Sequence, residues 1–323
     1  MYPFRFSKAA SEREAWLAGG RGARYIAGGT TLIDLMRETV ERPQAVVDIN
    51  ALPYRRIESG RSGLRIGSLV TMAELARHPR VRAEYPVISQ ALELSASAQL
   101  RNMATIGGNL MQRTRCVYFR DVTAACNKRA PGAGCSALEG DNRMHAILGG
   151  SAACVATHPS DLAVALVALD ARLELRGQGT RVVPLAEFVR RPGQTPQIEH
   201  DIRPGELIVA VHVPAGPYTA RSGYLKVRDR QSYEFALASA AVALHIENRR
   251  IVAARIAVGG VATVPWRLTA VENALLGRTP GNDTWQAAAM VAADGAEPLR
   301  HNEYKVELLR RTVARQLETV GGA

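Results

Sequence analysis

The chain has 323 residues, of which 47% are hydrophobic and 22% charged, and a formal net charge of +11. One hydrophobic core usually stops growing at roughly 250 to 300 residues, so two or more subdomains are expected. No apolar run approaches the roughly 18 residues of a membrane span, and scattered basic residues with only 5% aromatics argue against a stacking platform for nucleic acid.

The N-terminal run Met1 to Lys8 has no apolar h-region and no small-residue cleavage site, so no secretion signal is expected and export would need a signal-bearing partner. Ser11 to Glu14 resembles a capping box and Gly19 and Gly20 a helix stop, which predicts a short helix between them. Arg24 to Ala27 has the bulk of a short strand and runs into Gly28, Gly29, Thr30, Thr31 and Leu32, after which Ile33, Leu35 and Met36 begin a helix. Strands follow at 45–49 and 64–69, with Thr71 or Ser68 capping the helix through Leu75. Val87, Ile88, Ala91, Leu92, Leu94 and Ala98 share one face of a single helix from Tyr85 to Leu100.

Residues 162–169 read as a buried helix, 172–176 and 180–183 as a hairpin across Gly177 to Gly179, and 206–213 as a strand. Pro214 to Pro217 break the pattern and place a domain boundary near residue 215. Beyond it the pattern predicts strands at 224–227 and 251–258 and helices at 268–276, 284–294 and 303–319.

Two glycine turns carry the first chemical signal: Gly28-Gly29 with Thr30 and Thr31, and Gly107-Gly108 with Asn109. Without a Cβ the backbone approaches a ligand closely, and its N–H groups with nearby hydroxyls make an anion cradle. Neither turn fits G-x-G-x-x-G or G-x-x-x-x-G-K-[ST], so a Rossmann site and a P-loop are unsupported. A pair of cradles suits a pyrophosphate held between two segments.

The second signal is Cys116, Cys126, Cys135 and Cys154, the only cysteines. Four in a chain this long are too few for a disulfide-stapled domain, and their confinement to one stretch favours a shared site, with buried free thiols as the alternative. The absence of C-x-x-C sets the stretch apart from a zinc ribbon or a plain bacterial ferredoxin. Arg113, Arg115, Arg120, Lys128, Arg129 and Arg143 outnumber the local acids and would stabilise an anionic cluster. Only four of the 41 basic residues are lysine: Lys8, Lys128, Lys226 and Lys305. For His158 a local hydrogen bond is expected rather than ligation. No H-E-x-x-H or G-x-S-x-G motif supports a zinc hydrolase or a nucleophile elbow.

Taken in order, Ile26 to Leu32, Gln99 to Asn109, Ser160-Asp161, Tyr224-Leu225-Lys226 and Val258 to Val261 resemble the FAD-binding medium subunit of xanthine dehydrogenase-type molybdenum hydroxylases. The resemblance spans nearly the whole chain. It implies an α+β fold: a two-subdomain, vanillyl-alcohol-oxidase-like FAD-binding domain over 1–215 with a cysteine loop inserted at 113–154, then a C-terminal α/β domain over 216–323. It implies that Ile26, Ala27, Gly28, Gly29, Thr30, Thr31 and Leu32 hold the FAD pyrophosphate together with Thr105, Gly107, Gly108 and Asn109. Asp161 and Lys226 would lie at the flavin end, where a cation stabilises the anionic reduced form. Residue types alone also allow Asp161 as a helix N-cap and Lys226 as a solvated strand charge.

Most subunits of that family lack the cysteine loop. The segments around Cys116, Cys126, Cys135 and Cys154 resemble the aldehyde oxidoreductase version of a subgroup whose loop binds a 4Fe-4S cluster, so these four are the implied ligands. The implied role is electron transfer, with no catalytic residue for the organic substrate on this chain. Substrate would be oxidised at a molybdenum cofactor on a large partner subunit. Electrons would reach the FAD through 2Fe-2S centres on a small one and leave to an external acceptor of the ferredoxin or quinone type. The implied compartment is the periplasm by co-export, with the cytoplasm as alternative. An autonomous flavoprotein dehydrogenase with a structural four-cysteine zinc site is the competing reading.

Overall fold

A computed structural model describes residues 1–20 and 22–322. The first subdomain is β1 (Arg5–Lys8), α1 (Glu12–Ala18), β2 (Ala23–Ile26), α2 (Leu32–Arg37) and β3 (Ala45–Asp48). Its strands are parallel in the order β1-β3-β2, so each connection must cross over, and α1 is the first crossover. Ser11 caps α1 by accepting the Glu14 N–H at 3.2 Å, and the helix stops at Gly19. β1 escapes the sequence reading because all its residues are exposed, which leaves no apolar alternation to detect. Val47, Ile49, Leu52 and Tyr54 pack with Leu69, Leu207 and Val209 and fasten this subdomain to the next.

The second subdomain contains β4 (Ile57–Gly60), β5 (Gly63–Gly67), α3 (Met72–Arg77), α4 (Pro79–Glu84), α5 (Pro86–Glu93), α6 (Ala98–Met103), α7 (Ile106–Leu110) and α8 (Val117–Arg120). After the cysteine loop come α9 (Asp161–Ala168), β6 (Arg172–Arg176), β7 (Thr180–Pro184), α10 (Leu185–Phe188) and β8 (Leu207–Pro214). Its five strands are antiparallel in the order β4-β5-β8-β6-β7. Thr71 caps α3 in a full capping box with Glu74. Every residue of α9 is buried, as expected of a helix apolar all round.

The single helix expected from Tyr85 to Leu100 is instead α5 and α6, broken between Leu94 and Ser97. Ala96 takes a left-handed φ of 49°, and Ser97 starts α6 by accepting the Leu100 N–H. Apolar periodicity runs across the break and hides it. The break frees the Leu94 carbonyl, which accepts from Lys226 at 3.2 Å and Arg228 at 3.0 Å.

The C-terminal part comprises β9 (Ser222–Val227), β10 (Ala238–Glu247), β11 (Arg250–Gly259), β12 (Trp266–Arg267), α11 (Thr269–Leu275), α12 (Asn282–Met290) and α13 (Tyr304–Gly321). The sheet is antiparallel in the order β12-β11-β10-β9. β10 is buried on both faces: Ala241 and Ala243 join the core around α9, while Ala240, Val242 and Leu244 join Leu309, Val313 and Leu317 of α13. Small residues on the first face let α9 lie close between two sheets. No helix of the described residues is long and apolar enough to cross a membrane.

One core position is unusual. Lys305, at the start of α13, is fully buried with its Nζ donating to the Gly260 carbonyl at 2.7 Å. Burial, with a smaller contribution from Arg143, lowers its pKa from 10.5 to about 7. Between those values the unfolded chain holds a proton here that the folded chain has lost. Stability therefore rises with pH across that window, by at most about 1.4 kcal/mol per unit, and is lost as pH falls through 7. Lys305→Met should remove that slope when urea denaturation at pH 7 and pH 9 is compared with wild type; an unaltered slope would contradict a strained buried amine.

Candidate functional site

β2 delivers the chain to Gly28 and Gly29, where Gly29 takes a φ of 71°. A Cβ on Gly28 would sit 1.9 Å from the Met103 carbonyl oxygen, so only glycine allows this turn to lie against the end of α6. Among the described residues the amides of Gly28, Gly29, Thr30, Thr31 and Leu32 donate to no acceptor in the chain, and Thr31 leaves its hydroxyl uncommitted to the cap of α2. Consecutive free N–H groups form an anion nest.

The second turn differs from the expectation. Gly107 N–H donates to the Ser68 carbonyl at 2.8 Å and Gly108 N–H to the Thr105 hydroxyl at 3.2 Å, because this segment is the first turn of α7 and Thr105 is its cap. Gly107 is needed for packing: a Cβ there would lie 2.9 Å from that of Ser68. The free-amide cradle therefore belongs to residues 28–32, which lie against Met103 and Ala104, and 105–109 form the capped turn that directly follows those two residues. Asn109 ties that turn to the cap of α9 by accepting the Ser160 hydroxyl at 2.5 Å.

A residue assigned from sequence to the cysteines completes the nest. The Arg115 guanidinium lies 3.5 Å from the Thr31 hydroxyl and 3.3 Å from Asp34, and its buried Nε has no partner. Burial, with Arg120 beside it, lowers its pKa. The sequence held no signal for this role, since Thr31 and Arg115 meet only in the fold.

Arg115 also lines a cleft of about 240 Å³ between the cysteine loop, α9 and the C-terminal sheet. Asp161 reaches this cleft from the first turn of α9, whose cap is Ser160 and not Asp161. Its Oδ1 accepts the Tyr224 hydroxyl at 2.7 Å, and its Oδ2 accepts Lys226 Nζ at 2.8 Å and the Ser95 hydroxyl at 2.9 Å. Burial, and then the Asp161 charge, push the Tyr224 phenol well above its ordinary value, so it stays a donor. Lys226 does not line the cleft. It is neither a solvated strand charge nor a free cation: its side chain is buried behind Asp161, which it neutralises.

The four cysteines, spread over the loop in sequence, line one small cavity with Phe119, Ala125, Ala137 and Ala156. All four thiols are free. Cys126 and Cys135 face each other across a backbone bridge. Asn127 ties the loop together by accepting the Gly134 N–H at 2.8 Å and donating to the Ala153 carbonyl at 3.0 Å. Burial pushes the Cys116 thiol up to about 12 and raises Cys154, so these thiols are protonated unless a cation replaces the proton. Among the described residues no three His, Cys, Asp or Glu side chains are gathered closely enough to hold a single metal ion. An iron-sulfur cube takes each thiolate at a different corner and so spreads its ligands further apart.

The basic residues of the loop mostly hold it in place. Arg113 pairs with Glu41 and Glu199, Lys128 with Glu199, Arg120 with Asp34 and Glu38, and Arg143 with Asp229. Arg129 donates to the carbonyls of Tyr118, Phe119 and Ala124. The expectation that this charge serves a cluster directly is corrected to that extent: Lys128 alone of these ion-paired residues also lowers the Cys154 pKa. His158 accepts the Ser160 N–H through Nδ1 at 3.4 Å and does not line the cysteine cavity.

Residues 2–216 match the family described as FAD binding domain in molybdopterin dehydrogenase, and residues 223–320 match the CO dehydrogenase flavoprotein C-terminal domain. The chain is 47% identical to the aldehyde oxidoreductase FAD-binding subunit PaoB of Escherichia coli (strain K12), covering 97% of each. It is 28% identical to the carbon monoxide dehydrogenase medium chain of Hydrogenophaga pseudoflava, over 98% of this chain and 97% of that one. In fold it is similar to a chain of reconstituted CO dehydrogenase from Oligotropha carboxidovorans, with a TM-score of 0.77 and 23% identity over 100% of this chain and 99% of that chain. Matches that leave few residues uncovered make the chain a member of the FAD-binding medium subunits of the molybdenum hydroxylases, an oxidoreductase family.

Proposed function

We propose that the chain is the FAD- and 4Fe-4S-containing electron-transfer subunit of a molybdenum-dependent aldehyde oxidoreductase complex. It would take electrons from the 2Fe-2S centres of a small subunit and pass them to an external acceptor of the ferredoxin or quinone type, the substrate being oxidised on the molybdenum subunit. The observation that carries the reading is the convergence of four free cysteines on one cavity that adjoins the flavin cleft. Aldehyde as the substrate class rests on the relative at 47% identity.

In this reading the free amides of residues 28–32, the Thr31 hydroxyl and Arg115 hold the FAD pyrophosphate, with the capped turn of Thr105, Gly107, Gly108 and Asn109 on its other side. Asp161, fixed by Tyr224, Ser95 and Lys226, faces the flavin end as an acceptor. Bound FAD supplies the exchange between two-electron and one-electron chemistry. The protein's task is to hold that exchange at one place and to keep the cysteine cavity apolar, so that water does not reach a cluster.

Protein purified anaerobically should show flavin bands on a broad iron-sulfur shoulder near about 400 nm, with roughly four irons and four labile sulfides per chain. Flavin with zinc and no iron would replace this reading by the autonomous flavoprotein with a structural zinc site.

A further inference from the structure

Cys116 differs from the other three cysteines in one respect: it lines both the four-cysteine cavity and the cleft. His145 lines the cleft beside it, and its Nε2 lies 3.2 Å from the Cys116 sulfur. The main chain that carries the ring is fixed: Asn302, itself fully buried, donates its side-chain amide to the His145 carbonyl at 3.1 Å, and the His145 backbone N–H donates to the Asn142 carbonyl at 2.9 Å. The ring's other nitrogen, Nδ1, is buried with no partner, so the imidazole is turned toward the sulfur without a competing hydrogen bond.

We propose that Cys116 is the cluster ligand through which flavin and cluster exchange electrons, and that His145 sets the cluster's potential by donating its Nε2–H to the Cys116 sulfur. This rests on the cluster reading above. A cluster-bound sulfur offers lone pairs only, so the contact requires the proton on Nε2. A hydrogen bond to sulfur draws electron density from the iron and favours the more negative, reduced cluster. Each transfer moves one electron: one centre is oxidised, the other reduced, no bond to sulfur forms or breaks, and His145 keeps its proton. A flavin reduced by two electrons would need two such transfers, with its protons released to solvent through the cleft.

The test is a potentiometric titration of the holoprotein followed by electron paramagnetic resonance, with iron and FAD content measured alongside, for wild type, His145→Phe and His145→Gln. His145→Phe keeps the ring's bulk and removes the donor, and its cluster potential should fall with iron content unchanged. His145→Gln restores a donor and should recover part of the shift. A cluster potential unchanged in His145→Phe, or a shift confined to the flavin, would overturn the proposal. Should His145→Phe hold no iron, His145→Leu, which likewise removes the donor, is titrated in its place and decides on the same criterion. Wild-type protein without iron would instead overturn the cluster reading on which the proposal stands.

Discussion

Lys226→Met should lower the free energy of unfolding by about 3–5 kcal/mol, the usual cost of leaving one member of a buried ion pair alone. The lysine and Asp161 side chains are 1% and 7% exposed, with Nζ and Oδ2 2.8 Å apart. Methionine fills the space but leaves the carboxylate with two hydroxyl donors, Tyr224 and Ser95, and no cation. FAD occupancy should fall as well, because Asp161 would gain by turning toward water in the cleft it lines. Adding Asp161→Asn to Lys226→Met should restore much of the lost stability, since neither charge then remains buried. It should not restore FAD occupancy fully, since an amide replaces the acceptor. Urea denaturation and the flavin absorbance of purified protein separate the two effects. A loss under about 1 kcal/mol in the single variant would mean that the pair behaves as a solvated one.

On the proposed cluster reading, Cys126→Ser should lower the iron content from roughly four per chain to almost none, while most of the FAD stays. Cys126 is buried, and it is bridged through the backbone to Cys135, which lines the same cavity. A serine there leaves one iron of a cube without its thiolate. The nest at residues 28–32 lies outside the loop and its amides do not depend on it. The variant should also unfold more readily, because a group that binds only the folded chain stabilises it. Iron analysis with the visible spectrum checks the first claim, and denaturation under anaerobic conditions checks the second. Wild-type iron in the serine variant would remove Cys126 from the ligand set.

The site was partly legible because some of its signals are local. Gly28 and Gly29 after a strand, and Thr105 before Gly107 and Gly108, mark turns from which a Cβ is excluded, and that exclusion is a property of the residue itself. The helix caps at Ser11, Thr71 and Ser160 are equally local, since donor and acceptor lie within three residues of each other. Confinement of four cysteines to one stretch pointed to one site for the same reason.

What a side chain does with its charge was not legible. Arg113 meets Glu199 and Lys128 meets the same carboxylate only because the loop folds back on the segment before β8. Arg115 reaches Thr31, and Lys226 reaches Asp161, across similarly long stretches of chain. The same holds for the amides of Gly107 and Gly108: sequence predicted a turn, and the fold turned it into a capped helix that uses them.

By itself, then, the sequence determined the glycine turn at 28–32, the cysteine set and most helices and strands, because backbone stereochemistry and short-range hydrogen bonds act within a few residues. Only the tertiary structure decided which amides stay free, which cations are neutralised, and that Cys116 is the wall shared by cleft and cavity. Those depend on which distant segments the packed sheets bring into contact, and a charge buried by that packing takes whatever partner lies within reach.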